Sequence, residues 1–176
     1  LSAGMALRFA AKAIIPVPVP AILPEVNVLT VSEAKEIEPL YRSSTLLALK
    51  SLNNRLLEEA VLRVKALGET SVYVAYVEEA PHSPELPTEL EPSYESMELL
   101  AKAQGEMENR GITAVPVWQL GTDPGRLIAN AARELGVNTV MIGTTKRGAL
   151  LNLLRGDVLR TLDRNLPKDC HLVISG

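Results

Sequence analysis

Five short apolar runs recur along this sequence: TLLALK at 45–50, SVYVAYV at 71–77, ITAVPVWQ at 112–119, VNTVMI at 137–142 and HLVIS at 171–175. Each is separated from the next by a stretch with helical periodicity. Runs that are apolar on both faces need cover on both sides, which is the situation of strands in a parallel sheet. The intervening stretches supply that cover. Residues 55–67 carry Leu56, Leu57, Ala60, Val61, Val64 and Leu67 at offsets of three and four and stop at Gly68. Ser93 caps a second helix reaching to about Asn109, with Met97, Leu100, Ala101 and Met107 on its apolar side and Gly111 at its end. Asp123 and Pro124 open a third in cap-then-proline order, with Leu127, Ile128, Ala131, Ala132 and Leu135 as its stripe and Gly136 as its stop. A last helix is expected over 158–166. The alternation predicts an α/β fold with a doubly wound five-stranded parallel sheet. Pro116 cannot donate to a strand ladder, so the third strand belongs at a sheet edge.

A chain of 176 residues, 47% of them hydrophobic, bounds one domain with a sizeable core. Eighteen basic against 21 acidic residues, net −3, leave no basic excess, so no nucleic-acid partner is expected. One cysteine, Cys170, excludes an internal disulfide and reads as a small buried residue leading into the last strand. His82 and His171 have no Cys, Asp or Glu at ligand spacing, so neither a metal site nor a catalytic nucleophile constellation is expected. Arg126, Arg133 and Glu134 read as a solvated helix face, and Lys102, Glu106 and Arg110 as four-apart pairs supporting their helix.

The most apolar region, 13–29, is interrupted by Pro16, Pro18, Pro20 and Pro24, so nothing in it spans a membrane. Residues 1–15 can form a weakly amphipathic helix, and the alternating prolines that follow favour a semi-rigid polyproline spacer. Residues 26–31 read as an edge strand, with Ser32 capping a short helix over 33–38 before Pro39. The division is therefore an N-terminal extension and linker at 1–43 and a domain at 44–176. Residues 78–92 hold four prolines and several glutamates and read as a mobile acidic loop.

The stretch from Gly136 to Asp157, GVNTVMIGTTKRGALLNLLRGD, carries the candidate chemistry. Gly143 ends a strand and opens a loop with Thr144, Thr145, Lys146 and Arg147. Gly156 and Asp157 lead into the last helix, with Asp157 as its expected N-cap and Val158 as its first residue. Backbone amides and a helix N-terminus converging on one spot suit an anion. In a doubly wound sheet the ligand crevice lies at the carboxyl ends of strands one and four, where the winding reverses. Leu49 and Lys50 then stand opposite Met141 and Gly143, with Val77 at the neighbouring strand end.

Gly143, Lys146, Gly156 and Asp157 keep the spacing of the universal stress protein signature: Gly, two residues, Gly, nine residues, Gly, then Ser or Thr. The stretch resembles that signature, with Lys146 in place of the second glycine and Asp157 in place of the hydroxyl residue. The resemblance implies strand order 3-2-1-4-5, the adenine nucleotide alpha hydrolase-like arrangement. It implies that Leu49, Lys50, Val77, Met141, Gly143 and Thr144 border a nucleotide site, together with Lys146, Arg147, Gly156, Asp157 and Val158. In the family the first strand usually ends in Asp, so Lys50 reverses the charge there. Two readings follow: Lys50, Lys146 and Arg147 form an anion pocket, or Lys50 meets Asp157 as an ion pair in the nucleotide's place.

The resemblance further implies a regulatory or scaffolding domain that is not an enzyme, with a degenerate nucleotide site and no cofactor. It is similar to the domains fused as cytosolic tails to amino-acid permeases. The first residue, Leu1, is not a methionine, which suggests a piece of something longer, cytoplasmic and tethered to a membrane transporter domain through residues before Leu1. The alternative is a free-standing stress protein that binds ATP with Mg and slowly hydrolyses it. The exposed edge strand His171–Ser175 is expected to form a homodimer.

Overall fold

The computed structural model describes residues 27–37, 43–80, 91–143 and 156–175. Five strands, β1 (Thr45–Leu49), β2 (Ser71–Glu79), β3 (Thr113–Gly121), β4 (Thr139–Gly143) and β5 (His171–Ser175), form one parallel sheet in the order β3-β2-β1-β4-β5. Central β1 is buried along its whole length. Leu46 and Ala48 point into one core and Leu47 and Leu49 into the other, as the two-residue period of a strand requires. Helices α2 (Asn54–Ala66) and α3 (Tyr94–Asn109) cover the second face with Leu56, Leu57, Val64, Leu100 and Met107. Helices α1 (Val31–Glu36), α4 (Pro124–Leu135) and α5 (Gly156–Asn165) cover the first with Ala34, Ala132, Leu135 and Leu162.

Local chemistry sets the helix ends. The side chains of Asn53, Ser93 and Asp123 accept from the backbone amides of Leu56, Ser96 and Arg126, and Pro124 takes the first position of α4. Gly136 closes α4 at φ 67°, in the left-handed region. At Gly125 a Cβ would lie 2.6 Å from the Val158 carbonyl oxygen and 3.1 Å from the Leu162 nitrogen, so only glycine lets α4 and α5 approach this closely. Cys170 is buried and unbridged; burial, and then Asp169, push its thiol above its ordinary range, which keeps it protonated and inert.

β3 is an edge strand, as Pro116 requires. The Leu29 amide donates to the Pro116 carbonyl at 3.0 Å and the Trp118 amide to the Leu29 carbonyl at 2.8 Å. A strand residue's N–H and C=O point to the same side, so the missing N–H of Pro116 faces away from β2 and costs the sheet nothing. The strand expected over 26–31 shrinks to this one parallel bridge between Leu29 and Val117. The helix after it is capped by Thr30, not Ser32: Glu33 lies three residues beyond Thr30, and the two exchange reciprocal hydrogen bonds of 3.2 and 2.9 Å. Ala34 is fully buried in the core, and Lys35 pairs with Glu134 at 3.0 Å. A boundary after residue 43 thus separates in sequence what the fold joins, because Leu29, Val31, Ala34 and Ile37 all pack on the sheet and α4.

Other element bounds also shift. Glu78 and Glu79 extend β2 rather than opening the acidic loop, since β2 pairs with β3 through Glu79 and Gly121. β4 starts at Thr139 rather than residue 137, because the Val137 amide still donates to Ala132 at the exit of α4. α5 begins at Gly156, so Asp157 lies inside its first turn and is not its cap. Lys102 pairs with Glu98, while Arg110 takes Glu106. The helix expected over 1–15, the proline spacer and most of the acidic loop lie outside the described residues.

A chain beginning at Ser43 is expected to fold cooperatively yet lose on the order of 2 kcal/mol relative to one beginning at Asn27, from the apolar contacts of Leu29, Val31, Ala34 and Ile37. Urea unfolding of the two proteins checks this; equal midpoints would show that the N-terminal segment adds no stability.

Candidate functional site

The sheet brings its site elements together at its carboxyl edge. Leu49 is in register with Tyr76 of β2, and Ala48 with Ile142 of β4. Lys50 directly follows β1 and Gly143 ends β4 beside it, whereas Val77, expected at a strand end, lies inside β2, which runs on to Glu79. The turn after β1 folds back over the end of β4: a Cβ on Gly143 would lie 2.7 Å from Asn53 Nδ2 and 3.1 Å from Leu56 Cδ2. The N-terminus of α2 thus sits against the strand end. α5 also starts on this side, because a right-handed crossover from β4 must return to the amino end of β5. Gly125 seats it there by admitting the Val158 carbonyl.

The expected site residues divide by environment. Leu49 and Met141 are buried in the core beneath α2, at 6% and 2% exposure, so their side chains do not face the crevice. Val77 is half-buried against the opposite core, Val158 is half-buried, and Lys50 and Asp157 are exposed. Gly156 is the first residue of α5. Thr144, Lys146 and Arg147 lie outside the described residues. Among the described residues no ion pair joins Lys50 to Asp157, which overturns the salt bridge expected across the crevice. Both side chains are solvated, and holding two flexible chains together in water gains little.

Glu78, at the end of β2, has a structural role that its place next to the proline-rich loop concealed. Its Oε2 accepts from Ser96 Oγ at 2.6 Å, Trp118 Nε1 at 2.8 Å and the Ser93 amide at 3.1 Å. Burial alone would raise its carboxyl, but the donors from Ser96, Ser93 and Trp118 outweigh it and hold Glu78 below its ordinary range. The same carboxylate, with Glu79 and Glu95, adds to burial in pushing the Tyr76 phenol upward. One cue was legible: Glu78 keeps the strand period with Val72, Val74 and Tyr76, and so points to the α3 face. Among the described residues no group of three His, Cys, Asp or Glu could hold a metal, and no helix is long and apolar enough to cross a membrane.

The model of the universal stress protein family matches residues 48–173. The chain belongs to the universal stress protein family. Solved structures agree on the fold. A universal stress protein from Archaeoglobus fulgidus aligns at 20% identity with TM-score 0.59, covering 79% of this chain and 97% of that one. The Archaeoglobus fulgidus universal stress protein in complex with dAMP aligns at 19% identity with TM-score 0.54, covering 74% and 94%. A universal stress protein family protein from Arabidopsis thaliana with AMP bound aligns at 12% identity with TM-score 0.50, covering 76% and 93%. No curated protein matches the chain in sequence.

Two features of this universal stress protein domain can be tested directly. Gly143→Ala is expected to cost about 1–2 kcal/mol, because the new methyl displaces Asn53 from its capping position; an unchanged denaturation midpoint would show that the turn yields freely. Glu78 has a lowered folded-state pKa, so its contribution to stability is present above its unfolded value, about 4.5, and is lost as pH falls through the folded value. The stability difference between the parent and Glu78→Gln should therefore be constant near neutrality and narrow below about pH 4.5. Fluorescence of Trp118, the single tryptophan, reports the transition.

Proposed function

We propose that this universal stress protein domain is a regulatory or scaffolding domain, not an enzyme, and that its nucleotide site has lost most of its affinity for ATP. The observation that carries the reading is the charge layout at the carboxyl edge. Asp157 sits in the first turn of α5, where its carboxylate competes with a phosphate for the positive end of the helix. Lys50 occupies the end of β1, where the family usually places Asp. Its exposed charge is screened over about 8 Å at physiological salt, so it offsets the local repulsion poorly. The second reading, a free-standing protein that binds ATP with Mg and slowly hydrolyses it, is supported by the dAMP and AMP complexes of the structural relatives.

Calorimetric titration with Mg-ATP separates the two. The first reading expects no measurable heat in the parent chain and binding restored by Lys50→Asp combined with Asp157→Ser. A low-micromolar dissociation constant for the parent establishes the second.

The context we propose is the cytosolic part of a longer, membrane-tethered chain that includes an amino-acid permease or related transporter. The docked segment 27–37 supports it, since anything amino-terminal to Asn27 is thereby tied to β3 and α4. The gene sequence ahead of Leu1 tests it: a series of apolar spans of about 20 residues each supports the reading, and a start codon next to Leu1 overturns it.

The assembly we propose is a homodimer through β5, an edge strand with Ile174 53% exposed. Sedimentation is expected to give a dimer that Ile174→Lys converts to a monomer. A monomeric parent chain would rule this interface out.

A further inference from the structure

β5 ends the sheet, and its ladder to β4 fixes which of its main-chain groups are already spent. The His171 amide donates to the Asn138 carbonyl at 2.8 Å, so the main chain of His171 faces β4. Along a strand the N–H and C=O of one residue point to the same side, and those of the next residue to the other. Val173 and Ser175 therefore also face β4, while the amides and carbonyls of Leu172 and Ile174 face outward. On that side neither residue has a main-chain partner among the described residues. Donors and acceptors thus stand in a row, which is what an added strand requires.

The sequence of this edge does nothing to repel a strand, since HLVIS holds no lysine, proline or carboxylate. Leu172 packs on the core beneath α4 and Val173 on the core beneath α2, whereas Ile174 is left 53% exposed. Antiparallel strands set outward-facing residues opposite one another. For two copies of β5 the twofold axis can then sit at Leu172, Val173 or Ile174 and still overlap most of the strand. An axis at Leu172 sets Ile174 against Cys170 of the other copy, whose amide is spent on the Pro167 carbonyl at 3.0 Å, so the Ile174 carbonyl finds no donor. An axis at Ile174 sets Leu172 past Ser175, the last residue of the other copy's β5. An axis at Val173 opposes Leu172 to Ile174 on both sides of it, and each such pair exchanges two hydrogen bonds, so every outward group of β5 is used.

We propose that two copies of this chain join through β5 in antiparallel alignment with the twofold axis at Val173. The proposal rests on the homodimer reading above and assigns its register. Leu172 of each copy lies against Ile174 of the other and covers that exposed side chain, and the two Val173 side chains meet on the α2 face. Both copies then present α2 on the same face of one continuous sheet, and their carboxyl edges point in opposite directions. Ser175, in register with Gly143, faces His171 of the partner subunit. The end of β4 thus comes within two strand spacings, roughly 10 Å, of the amino end of the other copy's β5.

Single cysteines in a chain carrying Cys170→Ala, which removes the one native thiol, test the register. Across the axis the two copies of residue 173 are directly opposed with Cα atoms about 4.5 Å apart, inside the span of a disulfide. The two copies of residue 172, or of 174, are diagonal neighbours about 7–8 Å apart, outside it. Mild oxidation of Val173→Cys is therefore expected to give a covalent dimer, and Leu172→Cys or Ile174→Cys alone to give none. A mixture of those last two variants should cross-link, because residues 172 and 174 are opposed. Amide exchange of the unsubstituted 176-residue chain is a second readout. Leu172 and Ile174 should slow at least about tenfold as rising concentration drives pairing, and Val173, already bonded to β4, should change less. A parent chain that sediments as a monomer overturns the homodimer reading and the register with it. A variant that sediments as a dimer yet fails to cross-link through Val173→Cys overturns the register. If the Leu172 and Ile174 amides also exchange at unchanged rates, the contact lies elsewhere and the reading through β5 falls too.

Discussion

Burial of β1 on both faces is the constraint from which the rest of this structure follows. A strand whose five residues are all withdrawn from water needs a helical layer above and another below. Parallel neighbours on each side, Tyr73 to Tyr76 of β2 and Thr139 to Ile142 of β4, complete its ladder. Each parallel neighbour must be reached by a crossover helix, and every crossover returns the chain to the same end of the sheet. The carboxyl ends of all five strands therefore share one edge. The close approach of Asn53 to Gly143 and of α5 to Gly125 is a consequence of that geometry. A nucleotide site in this family is a property of the edge before it is a property of any side chain.

Much of this was legible because strong local signals agreed with the global fold. Pro116 fixed the edge position of β3, and Asn53, Ser93 and Asp123 marked three helix starts with their own side chains. The five apolar runs were sufficient for the sheet, and the signature spacing around Gly143 led to strand order and family together. What escaped were contacts between residues far apart in sequence. Leu29 pairs with β3 some ninety residues later, and no local pattern announces it. Ala34 carries a small side chain whose complete burial depends on α4. Ser32 and Thr30 are both plausible caps, and only the reciprocal bond from Glu33 decides between them. Glu78 looked like part of an acidic loop because composition outweighed the strand period that it continues.

The charges at the carboxyl edge show why spacing alone does not assign interactions. Lys50 and Asp157 are opposite in sign, stand at related positions in the fold, and remain unpaired with each other. Each projects into water, where hydration competes with attraction on nearly equal terms. Glu78, by contrast, is half-buried and its Oε2 meets three donors, so its carboxylate fixes the start of α3 to β2 and β3. The informative carboxylate at this end of the sheet is thus the one whose Oε2 already takes three donors.

The bridge at Leu29 bears on how many copies could ever join one another. A sheet with two bare edges can add a molecule at each, and repetition of that step yields a fibre without a defined length. Here the outer side of β3 offers Pro116, which has no donor, and main-chain groups already taken by Leu29. The middle of that edge is therefore closed to strand addition, whereas one pairing across a twofold axis would use up β5. A two-hydrogen-bond patch supplied by a segment outside residues 48–173 thus works against open-ended edge-on growth of the sheet.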